Sequence, residues 1–185
     1  MKTFYNCLNN IKLDFNEYMD GSKGPIIFCI KFFHNPGMLF SILYRTERYF
    51  IYESNFLLLN LIGYILYPFY FVITYFILSY HIEPRANIMG GLFLHNRDIV
   101  ITNDVEIGKN FYIMGQTTIG TGFDESGKIT IGNNVRVGAG AKIISTKGLT
   151  IADNVDIGAN AVVCKSILEA NSIHGGIPSK LIRFK

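Results

Sequence analysis

Four histidines are the residues of this 185-residue chain best suited to acid–base chemistry at neutral pH. An unperturbed imidazole has a pKa of about 6.5, so it can take a proton from a hydroxyl group and return it. His34 precedes a predicted helix and His174 lies near the end of the sequence, so both are expected to be ordinary surface residues. His81 stands where the composition changes, and its role stays open. His95 is the candidate general base, because it interrupts a repeated pattern.

That pattern is a recurrence of aliphatic residues at every sixth position, which is too long a period for strand alternation and does not fit an α-helix. It predicts a β-solenoid in which each hexad forms one short strand and a corner, with the aliphatic side chain pointing inward. The six-residue period continues upstream of residue 101, but Leu94 and Ile101 are seven positions apart, so the register shifts by one residue at His95. The inward positions are Ile82, Ile88, Leu94, Ile101, Ile107, Ile113, Ile119, Ile131, Val137, Ile143, Ile151, Ile157 and Val163.

Two further interruptions predict loops expelled from the solenoid. The inward aliphatic residue expected midway between Ile119 and Ile131 is absent, and the sequence there reads T-G-F-D-E-S-G-K. The interval from Ile143 to Ile151 is eight residues instead of six. Loops on a regular scaffold often carry binding groups. Asp124 and Glu125, in the first loop, are therefore candidate substrate-binding residues.

Composition divides the chain into a predicted helical N-terminal region, 1–80, and a β-helix domain with a C-terminal tail, 81–185. Most Phe and Tyr residues precede position 80, and most Gly, Asn and Asp residues follow it. Residues 4–20 predict an amphipathic helix that ends before Gly21. A second helix is predicted to begin with Asn35 as its N-cap and Pro36 in its first turn, and to run through Tyr49.

Charge and cysteine content narrow the function classes. A net charge of +3 without a basic block gives no indication of nucleic-acid binding. Three unclustered cysteines form neither a metal-binding pattern nor a disulfide framework, which suits a reducing cytoplasm. No cleavable signal peptide is visible, so a cytoplasmic location is expected.

The segment from Phe56 to Tyr80 contains no formal charge and is long enough to cross a membrane. Three interpretations remain open: two helices broken at Pro68 and packed on the solenoid, a helix lying in the membrane interface, or a single span. Peripheral contact with the inner face of the cell membrane through residues 56–80 is therefore one expectation for this chain.

The repeat region resembles the hexapeptide-repeat acyltransferases, in particular their serine acetyltransferase branch. The strings that carry the resemblance are I-E-P-R-A-N-I at Ile82, H-N-R-D-I-V-I at His95, T-T-I-G at Thr117, I-G-N-N-V-R-V-G-A-G-A-K-I at Ile131, I-G-A-N-A-V-V at Ile157 and G-I-P-S-K-L-I-R at Gly176. The resemblance extends weakly upstream to about residue 35. It implies a left-handed parallel β-helix, a homotrimer, and acetyl transfer from acetyl-CoA without a metal.

Site residues follow from the same resemblance. His95 matches the catalytic histidine of the branch, which implies direct transfer with His95 as general base. Glu83, close to the position of a carboxylate in the branch, is the candidate group that orients the imidazole. Contacts to coenzyme A are implied along the groove between subunits and at its phosphates for Gly120, Thr121, Ala139, Ala159, Lys165, Lys180 and Arg183.

The acceptor is inferred from departures from the branch. Serine acetyltransferases carry an Asp where this chain has Leu94, an Asp where it has Asn35, and an Arg-His pair in the loop that here contains Asp124 and Glu125. Losing these groups removes charge partners for the two ends of free serine. The sequence therefore predicts an O-acetyltransferase acting on a saccharide hydroxyl in a surface or capsular polysaccharide pathway, with Asn35 also a substrate-binding candidate.

Two alternatives stay open: a serine O-acetyltransferase of cysteine biosynthesis, and a non-catalytic β-solenoid scaffold. A carbonic anhydrase on a β-helix is excluded, since it needs three histidines around a metal and the repeats offer only His95.

Overall fold

The computed structural model describes residues 2–121 and 127–185, in which a group of helices precedes a parallel β-helix. Two of the helices continue into a π-helical turn, at Tyr49–Glu53 and at Val72–Ile77. The α-helices are α1 (Lys2–Met19), α2 (Pro25–His34), α3 (Pro36–Arg48) and α4 (Leu57–Phe71). Helices α1 and α3 confirm the two predicted helices, whereas α2 was not predicted.

Of two local predictions in the helical region, the N-cap position of Asn35 is confirmed and the break at Pro68 is wrong. Asn35 is the N-cap residue of α3, but its side chain makes no capping hydrogen bond to α3 and donates instead to the carbonyl oxygen of Lys31 at 2.8 Å. It satisfies an end carbonyl of α2, because the two helices meet at this residue. Pro68 lies inside α4 without breaking it. The helix is held on both sides of the proline by packing, since Gly63 and Tyr70 are buried.

Each coil of the β-helix contributes one strand in turn to each of three sheets. Sheet A contains β1 (Tyr80–Ile82), β4 (Ile99–Ile101), β7 (Thr118–Thr121), β10 (Lys142–Ser145) and β13 (Val162–Val163). Sheet B contains β2 (Asn87–Ile88), β5 (Val105–Ile107), β8 (Ile129–Ile131) and β11 (Leu149–Ile151). Sheet C contains β3 (Phe93–His95), β6 (Tyr112–Met114), β9 (Arg136–Val137), β12 (Asp156–Ile157), β14 (Ser172–Gly175) and β15 (Lys180–Phe184). The pairs are parallel, except that β15 runs antiparallel to β14.

The predicted inward positions are all buried, which confirms the six-residue reading of the sequence. In the registered pairs Ile101 lies beside Ile119, and Ile107 beside Ile131, so identical positions of successive coils stack. The same core includes Phe40, Tyr44 and Tyr70 of the helices. Helices and solenoid therefore share one hydrophobic core.

Strand β14 extends the solenoid into the C-terminal part of residues 81–185, where a tail was predicted. It pairs in parallel with β12, which places Ser172 and His174 on the inner side of sheet C. His174 is only 5% exposed, and its Nε2 lies 3.1 Å from the hydroxyl oxygen of Ser172. The expectation that His174 is a surface residue is thus wrong, because the strand alternation turns it inward.

A buried ion pair fixes α1 and α3 to the first coil. Arg45 contacts Asp14 at 3.0 Å, and both side chains are almost fully buried. Asp14 Oδ1 also accepts hydrogen bonds from the backbone N–H groups of Gly91 and Leu92, at 2.9 and 2.8 Å. The hydroxyl of Tyr18 accepts the N–H of Leu94 at 2.9 Å. The backbone immediately before His95 is thereby held by helix side chains.

Helix α4 and its π-helical turn expose an apolar surface. Leu57–Ile77 is the helical stretch, among the residues described, that is long and apolar enough to span a membrane by length and composition, with a mean hydropathy of 1.8. Its exposed side chains are Leu57, Leu58, Leu61, Tyr64, Ile65, Leu66, Phe69, Val72, Phe76 and Ile77.

Candidate active site

A cavity of about 510 Å³ opens where the helices meet the first coil of the solenoid. One wall comes from the junction of α2 and α3, and the opposite wall comes from β3 and the corner that follows it. Its lining residues are His34, Asn35, Pro36, Tyr80, Phe93, Leu94, His95, Asn96 and Arg97. The cavity thus brings the predicted base, His95, together with the predicted substrate-binding residue Asn35.

His95 is the last residue of β3, where it pairs with Met114 of β6. Its ring is exposed and lies between 6 and 7 Å, centroid to centroid, from the rings of Phe93 and Tyr112. Within residues 2–121 and 127–185, no side chain donates to or accepts from this imidazole. Both ring nitrogens are therefore available to a bound molecule, as a general base requires.

The structure does not bring Glu83 and His95 together. Glu83 follows β1 at the corner between sheets A and B, whereas His95 lies at the corner between sheets C and A. The Glu83 carboxylate accepts the hydroxyl of Tyr75 at 2.8 Å, and the ring of His81 stacks on Tyr75 at 4.2 Å. Its role in orienting His95 stays a prediction, and the site offers it no contact.

Asn35 and His34 form the helical wall of the cavity. Because the Asn35 amide nitrogen already donates to Lys31, its Oδ1 is left as a hydrogen-bond acceptor. His34 is exposed, as expected, but it stands in the cavity wall opposite His95, which the sequence reasoning missed. Its position at the end of an unpredicted helix, α2, gave no signal of this proximity.

Arg97 is the second lining residue that the sequence reasoning missed. It lies two positions after His95, in a corner whose neighbouring residues Asn96 and Asp98 have φ values of 70° and 62°. Its guanidinium acts on Tyr80 at the cavity floor: burial raises the pKa of the Tyr80 phenol to about 12, and the Arg97 charge opposes that rise. The signal in the sequence was the seven-residue interval from Leu94 to Ile101, which lengthens this corner by one residue.

The corner of His95 belongs to a continuous edge between sheets C and A. Successive corners are joined by backbone hydrogen bonds, from Gln116 N–H to the Arg97 carbonyl at 3.1 Å and from Asn160 N–H to the Ala139 carbonyl at 2.8 Å. A second cavity of about 330 Å³ on this edge is lined by Asn96, Arg97, Asp98, Gly115, Gln116 and Ala139. Two predicted coenzyme A contacts, Ala139 and Ala159, therefore share the edge with His95.

The other predicted cofactor residues lie elsewhere. Thr121 ends β7 and Lys165 follows β13, both at the opposite edge of sheet A, and Gly120 is buried against Thr102. Lys180 and Arg183 are exposed on β15. Asp124 and Glu125 fall outside the described residues. The cofactor roles of all these residues stay predictions.

Known proteins similar to this chain are serine acetyltransferases, although no protein-family profile matches the sequence. It is 37% identical over 114 residues to the enzyme of Staphylococcus xylosus, covering 60% of this chain and 51% of the relative. It is 43% identical over 110 residues to the enzyme of Helicobacter pylori strain J99, covering 58% and 63%. The chain therefore spans between half and two thirds of the length of these relatives.

Solved structures agree on the fold. Serine acetyltransferase of Brucella abortus in complex with coenzyme A superimposes with a TM-score of 0.78 at 23% identity, covering 100% of this chain and 73% of that one. The enzyme of Neisseria gonorrhoeae in complex with serine gives 0.75 at 21% identity, covering 95% and 69%. This likeness confirms the predicted fold class, a left-handed parallel β-helix preceded by a helical segment.

The prediction of a surface-polysaccharide acetyltransferase is wrong, because the similar proteins are serine acetyltransferases. The prediction rested on charged groups missing at Leu94, Asn35 and the loop after Thr121. It treated those positions as the only sources of charge, and so overlooked the cation at Arg97 in the same cavity.

Proposed function

We propose that this protein is a serine O-acetyltransferase, which transfers the acetyl group of acetyl-CoA to the serine hydroxyl and so serves cysteine biosynthesis. The observation that carries the proposal is the cavity in which His95 and Arg97, on one wall, face Asn35 on the other. The similarity of the chain to serine acetyltransferases, at 36–43% identity, supports the same activity.

The reaction follows from the groups in the cavity. His95 takes the proton of the serine hydroxyl as the oxygen attacks the carbonyl carbon of the thioester. The new C–O bond gives a tetrahedral oxyanion, which collapses with cleavage of the C–S bond. The departing thiolate takes the proton back from the imidazolium, which leaves O-acetylserine, free coenzyme A and neutral His95. No acyl-enzyme is required.

The acetyl donor would approach along the edge between sheets C and A. Ala139 and Ala159 have small side chains on this edge, which leave room for an extended pantetheine arm. The cavity that joins Ala139 to Arg97 supports this path, because it adjoins the cavity of His95. Assembly as a homotrimer, and peripheral contact of residues 56–80 with the inner face of the cell membrane, complete the proposal.

The test is thiol release from acetyl-CoA by the purified protein, measured with and without L-serine. We expect serine-dependent release, and a loss of about 10²- to 10⁴-fold in kcat for His95→Ala, because proton transfer to a positioned base contributes that much. His81→Ala is the matched control, since His81 stacks on Tyr75 outside the cavity.

Two results would contradict the proposal: wild-type protein that releases no thiol in response to serine, or a folded His95→Ala variant with unchanged turnover. Titration of coenzyme A into the protein separates the remaining alternative, because a non-catalytic scaffold has no reason to bind it.

A further inference from the structure

The side chains that line the cavity of His95 and can be charged at neutral pH carry positive charge only. Its lining contains two histidines and the Arg97 guanidinium, and no Asp or Glu among the residues described. A cavity with a fixed positive charge favours a ligand that carries a negative group. The acceptor that fits this charge bears an anion beside its reactive hydroxyl.

The Arg97 guanidinium is also unengaged. Four other arginines pair with carboxylates, namely Arg45 with Asp14, Arg48 with Glu53, Arg85 with Asp104 and Arg136 with Asp156. Across residues 2–121 and 127–185, the Arg97 side chain has neither an ion pair within 4.0 Å nor a hydrogen bond. Its five N–H donors are therefore free to bind a planar carboxylate in the two-pronged geometry that guanidinium groups favour.

The backbone around Arg97 is fixed although its side chain is not. Its carbonyl oxygen accepts the N–H of Gln116 at 3.1 Å, and the N–H of Asp98 donates to the Ser79 carbonyl at 2.9 Å. The corner is thereby tied to the next coil on one side and to the helical region on the other. A cation held two residues from His95 can set the distance between a bound anion and the base.

The amino end of serine finds a weaker partner in the same cavity. The Asn35 Oδ1 is a neutral acceptor, so it can accept one hydrogen bond from an ammonium group without pairing its charge. A hydrogen bond with one charged partner is already stronger than a neutral one, but a guanidinium–carboxylate pair joins two opposite charges through two parallel hydrogen bonds. The cavity is therefore built to select a carboxylate more strongly than an ammonium group.

We propose that Arg97 binds the carboxylate of the acceptor, which makes a carboxylate next to the hydroxyl the selected feature of the substrate and leaves the amino group weakly selected. The inference rests on the proposed function and names the residue and the substrate class that the site takes: short 3-hydroxy carboxylic acids. L-Serine belongs to this class, and glycerate, which has a hydroxyl in place of the amino group, belongs to it as well.

The experiment compares L-serine, glycerate and L-serinamide as acceptors for wild-type protein, Arg97→Gln, Arg97→Lys and the control Arg136→Gln. The Arg136 side chain pairs with Asp156 on the outer surface, away from the cavity. We expect wild-type protein to use L-serine and glycerate with KM values within about tenfold, and L-serinamide with a KM raised by about 10- to 100-fold.

The Arg97→Gln variant gives the sharper readout. We expect its KM for L-serine to rise by about 10- to 100-fold with little change in kcat, while its KM for L-serinamide stays as in wild type. We expect the KM of Arg97→Lys for L-serine to lie between those of wild type and Arg97→Gln. Arg136→Gln should leave the KM values for all three acceptors unchanged. An Arg97→Gln variant that weakens L-serine and L-serinamide equally, or neither, would overturn the inference.

A binding measurement keeps this inference separate from the proposed function. Calorimetric titration of L-serine and L-serinamide into wild-type protein and Arg97→Gln needs no turnover. If serine binds through Arg97 but no thiol is released, the acetyltransferase proposal fails and the carboxylate site stands. If thiol is released from serine and the Arg97→Gln variant binds serine normally, the acetyltransferase proposal stands and the carboxylate site at Arg97 is rejected. Absence of both binding and turnover rejects both.

Discussion

Glu47 is a carboxyl group that the helical region buries without a partner. It is 4% exposed, and its Oε1 has no hydrogen bond within the described residues. Burial raises the pKa of this carboxyl from 4.5 to about 7. The folded protein therefore keeps a proton that the unfolded chain releases between these values, so stability falls as the pH rises through that window.

A Glu47→Gln variant tests this effect. We expect the free energy of unfolding of wild-type protein to fall by about 1–2 kcal/mol between pH 5 and pH 8, and the variant to lose most of that dependence. Urea unfolding at the two pH values gives the comparison. Glu53→Gln is the control, because Glu53 pairs with Arg48 and should leave the fall in place. An unchanged pH dependence in Glu47→Gln would reject the assignment.

At the residue scale, the sequence predicted the base candidate and missed its neighbours. His95 was found because it interrupts a regular period. Arg97 was missed although it lies in the lengthened corner two residues after His95. His34 was missed because its proximity to His95 depends on how α2 and α3 lie against the first coil. No local pattern encodes that arrangement.

Among the elements, α1 and α3 are joined to the solenoid by side chains that bind its backbone directly. Asp14 accepts two N–H groups of the first coil and pairs with Arg45, which itself donates to the Met89 carbonyl at 2.8 Å. Removing one member of a buried ion pair leaves an uncompensated charge, which costs about 3–5 kcal/mol. The backbone beside His95 is linked to this pair, because Tyr18 on α1 accepts the N–H of Leu94.

We therefore expect Arg45→Met to lower the free energy of unfolding by about 3–5 kcal/mol in urea. Arg136→Met is the comparison, since its ion pair with Asp156 is largely exposed and its loss should cost less than about 1 kcal/mol. If both substitutions lower the free energy of unfolding equally, the buried ion pair does not stabilise the packing of the helices on the solenoid more than an exposed pair would.

Periodicity explains why strands were predicted better than helices. Each strand of the solenoid pairs with one about twenty residues away, so its inward positions repeat visibly along the sequence. The helices pack through contacts such as that between Asp14 and Leu92, which are 78 positions apart. The extent of α2 and the continuity of α4 through Pro68 depend on such distant contacts, and local sequence does not report them.

For the whole molecule, the exposed side of α4 reverses the usual distribution of polar groups. Two of its polar side chains point inward: the Tyr70 hydroxyl donates to the Ile82 carbonyl at 2.6 Å, and the Asn60 amide to the Ile51 carbonyl at 3.1 Å. Apart from Tyr64, its exposed side chains are hydrocarbon, including Leu61 and Phe69, which are 56% and 66% exposed. Such a helix suits a lipid surface better than water.

The membrane prediction is tested by flotation with vesicles of phosphatidylethanolamine and phosphatidylglycerol. We expect wild-type protein to float with the vesicles and a Leu61→Glu/Phe69→Glu variant to remain in solution, because each carboxylate would have to enter the apolar layer. Leu168→Glu, on the exposed surface of the solenoid, should float as wild type does. Wild-type protein that stays in solution would contradict the prediction, and its mass by light scattering would then show whether further copies cover the helix.

Both ends of the β-helix are closed against polymerisation. An open last coil would present unpaired strand edges on which another copy could stack, coil upon coil, into a fibre. Here β15 pairs with β14 in the antiparallel direction, and Ile167 forms a bridge with Ile151 of β11. The Ser179 N–H donates to the carbonyl of Val162 on β13. At the first coil, the Arg48 guanidinium donates hydrogen bonds to the carbonyl groups of residues 84–86. A repeat that could extend without limit is thereby kept to a discrete length.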